Sequence, residues 1–275
     1  MRRLLVLSAC LATGLASAGL GGALAGGTDR EEASAAALRG LVDLSHPFNE
    51  KTIYWPTATK FQLTKVAEGE TAGGYFYAAN DFAAAEHGGT HLDAPIHFAR
   101  GGDTADELPL TRLVGRAVVV DVSGRALENR DYLISRSDFR AWERRNGRIP
   151  RRTIVLLRTG FDRYWPDAER YLGTAERGQQ AVPKLHFPGL AEEGARWLVR
   201  ERGVKAVGID TASIDYGQST DFRSHRVLGA DDVPVFENVA RLGRLPTRGF
   251  SVVALPMKIE GGTGGPLRVM AVLRP

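Results

Sequence analysis

The 275-residue sequence contains a single cysteine, Cys10, and it falls in an N-terminal stretch that reads as a removable leader. A mature chain without cysteine has neither a disulfide framework nor a thiol nucleophile, and any metal must be held by histidine, aspartate or glutamate. Net charge is scarce as well: 36 lysines and arginines face 32 acidic residues, and Arg2 and Arg3 lie in the leader. The two signs are interspersed, so no basic stripe exists to displace counterions from a phosphate backbone, and nucleic acid is excluded as a partner. No apolar run matches the ~20 residues that a bilayer core requires, so no stable membrane span is expected after leader removal. The G-x-S-x-G elbow, the Walker A lysine loop and a G-x-G-x-x-G turn are all missing. Serine hydrolase, nucleotidase and dehydrogenase readings therefore lack support.

What is present is an ordinary globular composition, 43% hydrophobic and 25% charged, compatible with one α/β core. Residues 1–25 combine Met1-Arg2-Arg3 with a Leu/Ala/Gly-rich stretch, and no acidic residue precedes Asp29. This is the pattern of a secretory signal peptide, with small residues at Ala16 and Ala18 or at Ala23 and Ala25 for cleavage, and it predicts an exported, periplasmic or secreted protein. The paired arginines hint at twin-arginine export. Leu7-Ser8-Ala9-Cys10 resembles a lipoprotein box, but the apolar stretch before it is short for one. Residues 26–40 read as a polar, alanine-rich connector and 41–275 as a single domain. Within it, Val118–Val122, Ile154–Leu157 and Ala206–Ile209 have the short β-branched character of buried strands. Between them, Ser137–Asn146 and Leu190–Arg202 have helical spacing with Trp142 and Trp197 on the inner faces. Val252–Leu255 and Leu267–Leu273 flank the cluster Gly261–Gly265, as two strands around a glycine-bearing turn do. The alternation predicts an α/β fold.

The chemistry concentrates in EHGGTHLDAPIHF, residues 86–98, with His87, His91, Asp93 and His97. A helix is disfavoured by Gly88, Gly89 and Pro95. A straight strand would separate His87 from His91 by about 13 Å, too far to share an ion. The chain is therefore expected to bend at Gly88-Gly89 and return His87 toward His91, while His91 and Asp93 project from one face. Imidazole and carboxylate donors suit Zn²⁺, and Mn²⁺ or Fe²⁺ also fit.

The segment HGGTHLDAPIH resembles the motif H-x-G-T-H-x-D-x-P-x-H of the cyclase family, which includes bacterial kynurenine formamidases and the related isatin hydrolases. Asp43-Leu44-Ser45-His46 matches that family's D-L-S-H segment, and His225 and Glu237 match its later His and Glu twelve residues apart. The resemblance spans Leu41 to the C-terminus. It implies the family's swivelling β/β/α fold, a single domain with a mixed sheet and barrel-like core, and a homodimer or homotetramer. It also implies a site for one or two divalent ions, Zn²⁺ first and Mn²⁺ second.

Carried over residue by residue, the resemblance implies that His87, His91 and Asp93 hold the first metal and that Asp93 bridges. His225 and Glu237 would hold the second, and His97 would act as acid and base. Without Glu237, a mononuclear site of the isatin hydrolase kind is the better analogy. Tyr54-Trp55-Pro56 matches the family's aromatic-proline substrate loop, where a flat aryl group can stack; an ordinary packing role for Trp55 is the alternative. The implied activity is arylformamidase-like: cleavage of an amide, formamide or cyclic amide C–N bond in a small aromatic molecule by metal-activated water. A lactonase or a true cyclase is the alternative within enzymes, and a secreted metal- or ligand-binding protein the alternative outside them.

Overall fold

The computed structural model describes residues 40–273; the expected leader and the connector up to residue 39 lie outside the described residues. Among the described residues there are twelve strands: β1 (Leu41–Asp43), β2 (Gln62–Glu70), β3 (Phe76–Ala83), β4 (His91–Asp93), β5 (Val114–Asp121), β6 (Leu133–Ile134), β7 (Ile154–Arg158), β8 (Gly189–Leu190), β9 (Ala206–Ile209), β10 (Val235–Glu237), β11 (Arg248–Pro256) and β12 (Gly264–Leu273). Seven of them close on themselves in the order β12-β11-β5-β7-β9-β10-β4, with β4 pairing back to β12. The run β5-β7-β9-β10 is parallel, and the other neighbours are antiparallel. This is the mixed, barrel-like α/β architecture expected from the sequence.

Parallel neighbours require crossovers, and helices supply them. Ser123–Glu128 and Arg136–Asn146 lie between β5 and β7, Glu192–Trp197 between β7 and β9, and Arg223–Gly229 between β9 and β10. The parallel strands are consequently buried on both faces, and this is why they read as uninterrupted apolar runs. Ala117 and Val119 of β5, Ile154 and Leu156 of β7 and Ala206 of β9 point into the barrel, joined there by Phe236, Val252, Ala254, Val269 and Ala271. Val118, Val120, Val155, Leu157, Val207 and Ile209 point outward, under Phe139, Trp142 and Trp197. Gly208 has no side chain because a Cβ there would come within 2.7 Å of Leu156.

Helix Arg136–Asn146 starts on a Ser135/Asp138 capping box and ends at Gly147. Its Trp142 donates an indole hydrogen bond to the Val119 carbonyl at 2.8 Å, and Phe139 stacks on Trp197 with centroids 5.3 Å apart. The expected helix Leu190–Arg202 is more complex. Leu190 belongs to β8, the α-helix ends at Trp197, and a π-turn over Leu198–Arg202 ends at the left-handed Gly203. Gly264 and Gly265, expected in a turn, open β12 instead.

The β2–β3 hairpin was not anticipated. Its pairing is broken by a bulge at Val66, and most of its residues are exposed. An apolar/polar alternation signals a strand only where one face is buried, and this ribbon has no buried face. Truncating the barrel interior has a defined cost. Leu156→Ala is expected to lower unfolding free energy by about 2–5 kcal/mol, read as a fall in urea midpoint at unchanged slope.

Candidate metal centre

The site grows out of β4 and β10, the two three-residue strands of the barrel. In β4, Leu92 points into the core and is fully buried, so His91 and Asp93 point to the opposite side. β10 runs antiparallel beside it with Glu237 directly opposite His91 and Phe236 opposite Leu92. Register alone therefore places two carboxylates and an imidazole on one face, with hydrocarbon on the other. His91 Nε2 lies 3.2 Å from Asp93 Oδ1 and 3.4 Å from Glu237 Oε2.

His87 arrives by the expected bend. Gly89 has φ +59, in the left-handed region that glycine tolerates, and a Cβ on Gly88 would strike the Tyr54 ring. The turn returns His87 Nδ1 to 2.6 Å from Asp93 Oδ1. His97, in the 3-10 turn Pro95–His97, stacks on His87 with centroids 3.8 Å apart. His225, on helix Arg223–Gly229, directs Nε2 to Asp93 Oδ2 at 3.0 Å and Glu237 Oε1 at 3.2 Å. All six residues singled out by sequence thus converge. Two groups have donor atoms close enough to share an ion, His87–Asp93–His97 and His91–Asp93–Glu237, with Asp93 common to both.

Partners outside this cluster, which the sequence reading missed, decide which ring nitrogen faces inward. His225 Nδ1 donates to Asp215 at 2.7 Å, and Asp215 also accepts from the backbone N–H of Ser224 and His225. His91 Nδ1 lies 3.0 Å from the Gly89 carbonyl, which can only accept. The Thr263 hydroxyl donates to Glu86 and so accepts from His87 Nε2 at 2.9 Å. Each ring's outer N–H is committed, and each inner nitrogen turns toward the carboxylates. Two electron-pair donors cannot face each other at such distances without a proton or a metal cation between them. The donor set fits a divalent ion: neutral imidazoles, two carboxylates, and a surrounding shell that fixes their orientation. Thr263 has no local sequence signature because it acts across the fold, and Asp215, ten residues before His225, lies in a loop without a recognisable motif.

The electrostatics follow from this crowding. Burial opposes charge on His91, but its hydrogen bond to Asp93 and the charges of Asp93 and Glu237 raise its pKa above the ordinary value. Burial likewise opposes charge on His225, and Asp215, Asp93 and Glu237 hold it protonated well above the usual imidazole range. Burial would raise Asp93, yet His87, His225 and His91 keep its carboxyl well below the normal value. Glu237 is pushed up by burial and then by the Asp93 charge. His97 is pushed down to about 4, first by burial, with the neighbouring histidines adding to the fall against the pull of Asp93.

The cluster forms the floor of a cavity of about 290 Å³ whose walls include Tyr54, Trp55, Phe98 and Phe222. Phe98 packs against His225 at 4.4 Å and Phe222 at 5.1 Å. Both residues of the expected substrate loop, Tyr54 and Trp55, are therefore in the wall. A larger groove of about 630 Å³ beside Arg100, Arg196 and Arg226 contains none of the clustered residues and shares only Phe98 with the cavity. His46 stacks on Trp165, His186 pairs with Asp131, and Tyr75, Phe76 and Tyr77 are exposed; none of these lines the cavity.

An α/β barrel with a buried histidine–carboxylate centre under an aromatic cavity defines the class. The chain belongs to the family described as Putative cyclase, whose model matches residues 42–216. It is 31% identical over 222 residues to the isatin hydrolase of Roseibium aggregatum, covering 78% of this chain and 81% of that protein. It is 32% identical over 241 residues to the kynurenine formamidase of Salinibacter ruber, covering 85% and 97%. The solved isatin hydrolase A from Ralstonia solanacearum superimposes with a TM-score of 0.78 at 34% identity, covering 89% of this chain and 97% of that one.

A cation entering this centre must displace the protons that the carboxylates hold on His91 and His225. Because both pKa values are raised, the displacement is harder at low pH, and metal affinity should rise with pH. Calorimetric titration of Zn²⁺ in buffers of different ionisation enthalpy should show net proton release; binding without it contradicts the arrangement.

Proposed function

We propose that the protein is a metal-dependent hydrolase that opens the C–N bond of a small aromatic amide, formamide or cyclic amide. The observation that carries this is the convergence of His87, His91 and His225 on two carboxylates beneath an aromatic-walled cavity. Two relatives named for isatin and kynurenine chemistry support the substrate class.

His87, His91 and Asp93 would hold one ion, His225 and Glu237 a second, with Asp93 shared; its two oxygens already face different partners. Zn²⁺ is the first choice and Mn²⁺ the second. Such an ion supplies Lewis acidity toward a carbonyl oxygen and brings the ionisation of water near neutral pH. Trp55, Phe98 and Phe222 exclude solvent and stack against the aryl body. His97, kept neutral by burial, is the base that takes a proton from the attacking water at a ring nitrogen and returns it to the departing nitrogen. An isatin hydrolase-like centre with one ion is the second reading, favoured by the relative of that name and decided by metal stoichiometry.

We read residues 1–25 as a secretory leader and the protein as exported; among the described residues no helix is long and apolar enough to cross a membrane. A homodimer or homotetramer is supported by the β2–β3 ribbon, which exposes Leu63, Tyr75, Phe76, Tyr77 and Phe82. A two-stranded ribbon is at best marginally stable alone, and a second copy packed on it would cover this apolar surface.

Two variants separate the roles. His91→Ala should abolish both metal content and turnover of N-formylkynurenine, isatin and aryl formamides. His97→Ala should retain metal and lose about 10²–10⁴-fold in kcat. Metal loss in His97→Ala would make it a ligand, and turnover by metal-free protein would end the hydrolase reading.

A further inference from the structure

Asn238 directly follows Glu237 and is buried, with 2% of its surface exposed. Its backbone is left-handed, at φ +52, a conformation that asparagine adopts more readily than most residues. The chain leaves β10 at this point. The Asn238 N–H donates to the Thr211 carbonyl at 2.9 Å, and its carbonyl accepts from the Thr90 hydroxyl at 2.8 Å.

The side chain is fixed at both ends. Gly89 offers a carbonyl, which can only accept, so the atom 2.7 Å from it is the amide Nδ2, donating. That leaves Oδ1 toward the Tyr171 hydroxyl, which donates to it at 2.9 Å, with the Asp210 carbonyl a more distant acceptor at 3.2 Å. Tyr171 is 1% exposed. Burial, and then the Asp210 charge, holds its phenol well above the ordinary value, so it remains a donor. Both ends demand the same orientation of the amide, which therefore has one setting.

The carbonyl held in this way bears on two metal-site histidines. Gly89 is the left-handed residue of the bend that returns His87 to Asp93, and its oxygen takes the outer N–H of His91 at 3.0 Å. A peptide beside glycine is a soft support, because glycine has the most backbone freedom. Resting on the reading of this cluster as a metal centre, we propose that Asn238 is a positioning residue: its amide, set by Tyr171, clamps the Gly89 carbonyl and so holds His91 and His87 as a divalent ion requires. Neither Asn238 nor the protonated Tyr171 carries charge, so the clamp acts through geometry and not through the field at the site.

The test compares wild type, Asn238→Gly, Tyr171→Phe and, as a stability control, Leu156→Ala. Glycine accepts φ +52 freely, so Asn238→Gly removes the amide without adding backbone strain. Each protein is measured for Zn²⁺ affinity by chelator competition, for the visible spectrum of its Co²⁺-loaded form, and for its thermal midpoint without metal. Asn238→Gly should bind Zn²⁺ about 10–100-fold more weakly, and Tyr171→Phe about three- to tenfold more weakly, both with an altered Co²⁺ spectrum. Leu156→Ala should lower the thermal midpoint and leave affinity and spectrum unchanged. Wild-type affinity or an unaltered spectrum in Asn238→Gly overturns the clamp, as does weakening that Leu156→Ala reproduces, which would show a merely structural role. Should Asn238→Gly not fold, Tyr171→Phe decides by the same readings; where Asn238→Gly is altered and Tyr171→Phe is not, the part given to Tyr171 alone is overturned. A wild type that binds neither Zn²⁺ nor Co²⁺ overturns the metal-centre reading and this role with it.

Discussion

Asp93 is buried with three imidazole nitrogens turned toward it or its carboxylate neighbour Glu237, and a carboxylate in such a place needs positive charge between itself and those nitrogens. Protons can supply that charge, and so can a divalent ion. Much of the surrounding structure is arranged to keep this choice open. The outer N–H of each ring is tied to Asp215, to the Gly89 carbonyl or to Thr263, so the rings cannot rotate to satisfy Asp93 by themselves. The centre is consequently a polar knot on the outer face of a barrel whose interior is hydrocarbon, and its stability is tied to what occupies it.

Closing the barrel and building the centre are the work of one three-residue strand. β4 is the bridge between β10 and β12, and its alternation divides Leu92 from His91 and Asp93. Gly264 on β12 lacks a side chain where a Cβ would approach the His87 ring at 2.7 Å. A change that shifts the register of β4 would therefore disturb the barrel seam and the centre together. The aromatic side of the cavity is attached differently: Tyr54 and Trp55 come from a loop fastened to the chain at Gly88 and by Arg177. The metal centre and the aromatic wall thus meet at Gly88, beside His87.

The parallel strands were legible in the sequence because burial on both faces leaves no polar interruption; the expected ends were nearly those of β7 and β9, whereas β5 begins four residues earlier, at Val114, where its residues are partly exposed. The bend at Gly88-Gly89 was legible for a different reason: only a reversal there lets His87 reach the partners of His91. Asp215, Glu86 and Thr263 were not legible. Each is an ordinary polar residue until the fold gives it a partner: Thr263 meets His87 across 176 positions, Glu86 is set by Thr263, and Asp215 reaches His225 from a loop ten residues earlier. The β2–β3 ribbon escaped because periodicity reports a buried face, and this ribbon has none within one chain. The π-turn after Trp197 escaped because its apolar spacing is indistinguishable from that of a continuing helix.

The most direct measurement is anomalous diffraction from crystals of the Zn²⁺-loaded protein. Density is expected between Asp93 and the inner nitrogens of His87, His91 and His225, with metal–ligand distances of about 2.0–2.2 Å. Zinc bound elsewhere, with the three rings still hydrogen-bonded directly to Asp93 and Glu237, would contradict the account.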